Sequence, residues 1–100
     1  MVPPPSERVT GLTAKADDRQ VNLTWDPMAG AAGYNVYANA QRTVQTPMTG
    51  VLIRNLTNGV TYMFEVAAFN TGGEGPRSTA ARVVPREARR GWFAPGPSRR

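Results

Sequence analysis

The sequence contains neither cysteine nor histidine among its 100 residues. Without cysteine the chain can form no disulfide framework and no thiolate metal site. Without histidine it lacks the commonest general base, the commonest metal ligand and the middle member of a serine catalytic triad. The core must therefore be held together by packing alone, and we expect neither a metal site nor a cofactor.

Long apolar runs are also missing. No stretch approaches the roughly 20 apolar residues of a membrane span. The start of the chain, Met1 to Pro5, lacks the apolar run of a signal peptide. Both ends have the composition of linkers. We therefore expect a piece of a longer secreted protein, extracellular and without membrane contact, while an intracellular location stays open.

Most of the chain has a net charge close to zero. Residues 1–84 carry seven Lys and Arg against six Asp and Glu, whereas residues 85–100 carry five Arg against Glu87 alone. The basic tail, residues 86–100, could bind nucleic acid or another polyanion, or it could be a flexible solvated linker. We prefer the linker, because residues 1–84 have no evident basic face, so nucleic acid is not an expected partner. The candidate polyanion contacts are Arg86, Arg89, Arg90, Arg99 and Arg100.

What the sequence does contain is short-range alternation of apolar and polar residues. Such alternation predicts half-buried strands, and it is clearest at 21–25 and 62–69. Turn-forming residues separate the segments, and a dense cluster of them at 70–76 predicts a hairpin loop. Seven short strands without helical periodicity indicate an all-β, two-sheet sandwich. The predicted strands cover residues 12–16, 21–25, 34–39, 42–45, 51–53, 62–69 and 77–84.

Four carboxylates are candidates for acid–base chemistry, but each has a simpler structural interpretation. Asp17 and Asp18 lie in a predicted turn, where Asp is favoured because it bonds local backbone. Asp26 precedes a proline at the end of a strand, and Glu65 points outward. The glycine-rich segment 72–75 lacks the Lys and Ser or Thr that complete a phosphate-binding loop. We therefore expect no catalytic residue, and the chain is not predicted to be an enzyme.

Five segments together match one protein family. In their order and spacing they make the chain resemble a fibronectin type III domain over roughly residues 5–85. The resemblance implies an immunoglobulin-like, seven-stranded Greek-key sandwich at 7–85, with a proline-rich lead-in at 1–6 and a basic flexible tail at 86–100. The segments are Leu-Thr-Trp-Asp-Pro at 23–27, Gly-Tyr-Asn-Val-Tyr at 33–37, Leu-Thr-Asn-Gly-Val-Thr-Tyr at 56–62, Val-Ala-Ala-Phe-Asn at 66–70 and Gly-Glu-Gly-Pro at 73–76.

The resemblance also implies which residues build the core. Trp25 would bridge the two sheets, and Tyr34 would point inward from the next strand. The spacing of Leu56 and Tyr62 is similar to the family's tyrosine corner, in which the phenol hydroxyl bonds to upstream backbone. Asn58 stands where many members carry proline, but Asn58 followed by glycine still supplies a turn.

Function follows from the resemblance alone. In composition and local sequence the chain looks most like bacterial members of the family. Those members resemble the modules that lie between the domains of secreted polysaccharide-degrading enzymes. This implies a non-catalytic spacer or accessory module that contacts neighbouring domains of a larger protein. The alternative is a protein-recognition module, adhesive or receptor-like, that uses an exposed sheet face. Alternation places Tyr37 on the outward side of its strand, and Met63 and Phe69 on the outward side of the neighbouring strand. These three are the candidate partner contacts, expected to form one apolar patch.

Overall fold

The computed structural model describes residues 3–87, which form eight β-strands. Residues 3–87 include no helix with the length and apolar character of a membrane span. In chain order the strands are β1 (Thr13–Asp17), β2 (Gln20–Thr24), β3 (Gly33–Ala38), β4 (Gln41–Thr46), β5 (Gly50–Ile53), β6 (Tyr62–Asn70), β7 (Gly73–Arg77) and β8 (Ala81–Val83).

The strands form two antiparallel sheets. The three-stranded sheet has the order β1-β2-β5, and the five-stranded sheet has the order β4-β3-β6-β7, with β8 also paired to β6. The chain changes sheet after β2, after β4 and again after β5. This connectivity is that of a Greek-key sandwich. The predicted all-β, two-sheet fold is confirmed.

The core lies between the sheets, because every strand presents alternate side chains to that side. In β2, Val21 and Leu23 are fully buried, while Asn22 between them is exposed. Trp25, just after β2, meets Tyr34 of β3 edge to face, and this contact joins the two sheets. The buried apolar cluster consists of Val9, Val21, Leu23, Trp25, Tyr34, Val36, Ile53, Phe64, Val66 and Ala68.

One strand lies where the sequence predicts a loop. Residues 70–76 are rich in turn formers, but β6 continues to Asn70 and β7 already begins at Gly73. Pro76 fits within β7 because this strand lies at the edge of the sheet, where a missing amide breaks no ladder on the open side. The hairpin loop is therefore shorter than the sequence predicts.

The predicted last strand, 77–84, is interrupted at Ser78. The Ser78 amide donates to the carbonyl oxygen of Val66 at 2.7 Å, and the Ser78 hydroxyl accepts from the Val66 amide at 3.0 Å. The hydroxyl thus replaces a backbone carbonyl in the ladder, and regular pairing resumes only at β8. This interruption is why the sheet contains one more strand than expected.

A tyrosine anchors the loop that precedes β6. The Thr57 amide donates to the hydroxyl oxygen of Tyr62 at 3.0 Å, which is the upstream backbone bond that a tyrosine corner requires. Leu56 and Tyr62 are half-buried and pack against the core cluster. Side chain and backbone therefore hold this loop together.

Asn58 ties the same loop to the turn between β1 and β2. Its Oδ1 accepts from the Arg19 amide at 2.8 Å, and its Nδ2 donates to Asp18 Oδ1 at 2.8 Å. Arg19 has a φ of 55°, a left-handed conformation that a side-chain bond to its amide helps to hold. The Asn58 side chain therefore makes contacts with residues distant in sequence, in addition to supplying a turn.

Candidate functional site

The outer face of the five-stranded sheet is where the sequence places the candidate partner contacts. Tyr37 points outward from β3, but its side chain is only 8% exposed. The guanidinium carbon of Arg77 lies 3.9 Å from the centre of the Tyr37 ring, and the Tyr37 hydroxyl donates a hydrogen bond to Glu74. The expectation of an exposed Tyr37 is therefore wrong, because residues of β7 cover the ring.

Glu74 is the centre of a group of polar side chains on this face. Its Oε2 accepts from the Tyr37 hydroxyl and, at 2.9 Å, from Asn35 Nδ2. Asn35 Oδ1 in turn accepts from Gln45 Nε2 of β4 at 2.8 Å. We call this group the polar cluster, and it comprises Asn35, Tyr37, Gln45, Glu65, Glu74 and Arg77.

The polar cluster spans β6 at Ala67. The register places Ala67 between Asn35 of β3 and Arg77 of β7. Ala67 lies on the outward side of β6 and is nevertheless fully buried. Because its methyl group rises little above the sheet, Glu74 can reach over it to the residues of β3. Next to it, Arg77 Nη1 lies 3.4 Å from Glu65 Oε1, so side-chain contacts connect β4, β3, β6 and β7.

The surroundings shift the pKa values of two cluster members in opposite directions. Burial alone raises the pKa of Glu74, but the hydrogen bonds from Tyr37 and Asn35 and the positive charge of Arg77 outweigh it, so the pKa lies below its ordinary value of 4.5. The hydrogen bond to Glu74 is the main cause that raises the pKa of Tyr37 above 10.0, and burial adds to it. Glu74 therefore stays ionised and Tyr37 protonated near neutral pH, as suits a structural contact rather than proton transfer.

The other two candidate contacts lie at opposite ends of β6. Met63 is 40% exposed. Phe69 is half-buried over Gly33, where an added Cβ would lie 2.7 Å from its ring. Tyr37 pairs with Glu65 between them. The three residues therefore do not form one apolar patch, because Tyr37 belongs to the polar cluster and Glu65 of that cluster lies between Met63 and Phe69 on β6.

The basic tail lies mostly outside the described residues. The Arg86 amide donates to the carbonyl oxygen of Asp17 at 3.2 Å, and the Arg86 side chain is exposed. A polyanion contact by the tail stays a prediction. The candidates outside residues 3–87 are Arg89, Arg90, Arg99 and Arg100.

Residues 3–87 contain no group of three or more Asp, Glu, His or Cys side chains placed to hold a metal ion.

Sequence reasoning missed Glu74 and Arg77, since a glycine-rich segment predicts a loop rather than a strand. The partners of Glu74 lie 37 and 39 positions earlier in the chain. No local pattern indicates a pairing over that distance.

Comparison with known proteins gives concordant results. The family model described as Fibronectin type III domain matches residues 3–84. Chitinase D of Niallia circulans is 36% identical over 92 residues, which cover 88% of this chain and 17% of the relative. Protein sidekick-2 of Gallus gallus is 36% identical over 84 residues, which cover 69% of this chain and 4% of the relative. The crystal structure of the chicken CNTN1 FN1-FN3 domains has a TM-score of 0.74 at 25% identity and covers 83% of this chain and 33% of that one.

The chain spans less than a fifth of the length of these two curated relatives. The matched region includes all eight strands, the edge-to-face pair of Trp25 and Tyr34, and the hydrogen bond from Thr57 to Tyr62. Sequence, topology and these contacts agree, and the chain belongs to the fibronectin type III domain family.

Proposed function

We propose that this chain is a non-catalytic spacer within a larger secreted protein and that it holds the neighbouring domains at a fixed separation. The proposed parent is a bacterial polysaccharide-degrading enzyme. The observation that carries the proposal is the position of the two points at which the chain enters and leaves the sandwich.

The chain enters at one end of β6 and leaves at the other. The carbonyl oxygen of Pro3 accepts from Asn70 Nδ2 at 2.9 Å, at the last residue of β6. Val83 of β8 pairs with Tyr62, the first residue of β6. Because β6 has nine residues and a strand rises roughly 3.4 Å per residue, the two points lie about 27 Å apart. Domains attached on either side would therefore lie at opposite ends of the sandwich.

Backbone hydrogen bonds hold the exit segment. The Gly59 amide donates to the Pro85 carbonyl oxygen at 2.9 Å, and the Arg86 amide donates to the Asp17 carbonyl oxygen at 3.2 Å. The chain is thus fixed to the sandwich for several residues beyond β8. A spacer needs this property, because a freely moving exit would leave the next domain without a defined position.

The relatives support the choice of parent protein. Chitinase D is named for its action on chitin, a polymer too large to enter a cell, and the match covers only 17% of it. A module that forms so small a share of an enzyme suits an accessory function outside the cell. Recognition of another protein through the outer sheet face has less support, because Glu74 and Arg77 cover Tyr37 and members of the polar cluster bind one another. Of the three candidate contacts, only Met63 is well exposed.

A distance measurement tests the spacer. Two globular reporters would be fused, one before Pro3 and one after Glu87, and the control would replace the domain by a Gly/Ser linker with the same number of residues. Such a linker has a broad distribution with an r.m.s. length of about 50 Å. We expect the domain to give one narrow distribution of inter-reporter distances. Pulsed electron paramagnetic resonance or single-molecule Förster resonance energy transfer measures this distribution. A distribution as broad as that of the linker would overturn the proposal.

A further inference from the structure

The proline-rich lead-in lies against β7. Pro5 is half-buried. A Cβ atom built on Gly75 would lie 2.6 Å from the Pro5 carbonyl oxygen and 2.9 Å from Pro5 Cβ, and neither distance is tolerated by real atoms. A Cβ built on Gly73 would lie 3.6 Å from Pro4 Cβ. The absence of a side chain at Gly75 thus creates the space that Pro5 occupies, whereas Gly73 lies at ordinary contact distance from Pro4.

Asn70, the last residue of β6, binds the same segment. Its Nδ2 donates to the Pro3 carbonyl oxygen at 2.9 Å, while its Oδ1 accepts from the Gly72 amide at 2.7 Å. One side chain therefore shapes the turn and holds the lead-in. A proline segment suits this contact, because it has no internal hydrogen bonds and leaves its carbonyl oxygens available.

We propose that Asn70, Gly73 and Gly75 form a binding site for a proline-rich segment, occupied here by residues 3–5 of the same chain. We call it the proline site. It fixes the direction from which the chain enters the sandwich. Proline loses little conformational freedom on binding, since its ring already restricts φ. The proposal does not depend on the spacer function, because the site only has to immobilise the lead-in on its own domain.

The mobility of the lead-in tests the proline site. A spin label on Pro3→Cys is unique, since the sequence has no cysteine, and cysteine keeps the carbonyl oxygen that Asn70 binds. We expect the label to tumble with the domain. Gly75→Ala should shorten its rotational correlation time roughly threefold, toward that of a free terminus, and should shift the Asn70 side-chain amide signals in NMR spectra. Thr71→Ala, an exposed change in the same hairpin, should change neither.

A second variant keeps the test decisive if Gly75→Ala does not fold. Asn70→Asp retains an acceptor for the Gly72 amide and removes the donor to Pro3, so it should release the label without disturbing the turn. Unchanged label mobility in a folded Asn70→Asp variant overturns the proposal. So does a label that is already mobile in the unsubstituted background. Reporter distances are not part of this readout, so a failed spacer and a failed proline site are distinguishable.

Discussion

The rings of Trp25 and Tyr34 meet edge to face across the space between the sheets, with 5.5 Å between their centroids and 64° between their planes. Their polar atoms differ in environment. The Tyr34 hydroxyl oxygen accepts from the Met28 amide at 2.9 Å, whereas the buried Trp25 Nε1 has no hydrogen-bond partner within residues 3–87. Within residues 3–87 the indole therefore stabilises the fold through packing, whereas the phenol adds a hydrogen bond to its packing.

Trp25→Ala should lower the free energy of unfolding by about 3–5 kcal/mol, because it removes a large aromatic side chain from a core that relaxes only partly. Urea denaturation measures the change. The control is Met48→Ala at a side chain that is 65% exposed, which should change stability by no more than about 0.5 kcal/mol. A loss below about 1 kcal/mol for Trp25→Ala would show that the indole does not bridge the sheets.

Trp25→Phe should be less harmful than Trp25→Ala. Phenylalanine keeps an aromatic edge for the Tyr34 ring, and the lost indole N–H made no hydrogen bond in residues 3–87. We expect Trp25→Phe to recover at least half of the stability that Trp25→Ala loses. Equal instability of the two variants would contradict the inference that an aromatic edge against the Tyr34 ring supplies much of the stabilisation.

Tyr34→Phe and Tyr62→Phe each remove one acceptor for a backbone amide. The bond to the Met28 amide is partly buried, whereas the bond to the Thr57 amide is exposed to water. Water replaces the exposed bond more readily than the partly buried one, so Tyr34→Phe should be the more destabilising change. We expect about 1–2 kcal/mol for Tyr34→Phe and about 1 kcal/mol or less for Tyr62→Phe in denaturation experiments. The reverse order of the two losses would contradict the difference in burial between the two hydroxyl groups.

These residues also show how much the sequence can predict. Alternation in β2, β3 and β6 is local, so it identifies the core and the side to which Tyr37 points. The cover of Tyr37 comes from Glu74 and Arg77 on β7, and β7 is a strand only because Gly73–Arg77 pairs with β6. Its own composition favours a turn. Tertiary pairing thus overrides local preference in β7, the strand that supplies Glu74 and Arg77 to the polar cluster.

Stability in acid should depend on Glu74. Its pKa is lowered in the folded state from 4.5, so the unfolded chain binds the proton more tightly. The stabilisation is complete above pH 4.5 and is lost as the pH falls through the lower folded-state pKa. Urea midpoints measured down to about pH 2 should fall less for Glu74→Gln than for the unsubstituted chain. Parallel curves would show that the carboxylate gains nothing from its three partners.

Stability in alkali should depend on Tyr37. Its pKa is raised from 10.0 in the folded state, so the stabilisation is complete below pH 10.0 and is lost as the pH rises through the higher folded-state pKa. Tyr37→Phe should weaken the decline above pH 10.0, and ultraviolet titration of the phenolate should place Tyr37 above an unfolded reference. A Tyr37 that titrates at the unfolded value would contradict the hydrogen bond to Glu74.

Asn58→Asp should destabilise the domain by about 1 kcal/mol at low salt, because it turns a hydrogen bond to Asp18 into the contact of two carboxylates. The acceptor for the Arg19 amide is retained, so the effect isolates the lost donor. Adding Asp18→Asn to the same chain restores a donor and should recover most of the loss. Salt should also reduce it, since the pair is exposed. A double variant no more stable than Asn58→Asp would place the effect elsewhere.

The separation of about 27 Å between the entry and exit points also limits where this domain can be placed within another protein. Insertion into a surface loop of a host domain requires termini that lie close together, and so does circular permutation with a short joining peptide. Here the Pro3 and Val83 contacts lie at opposite ends of β6. The domain is therefore suited to duplication and recombination in series along a chain, and a host fold could accept it internally only with long connecting peptides.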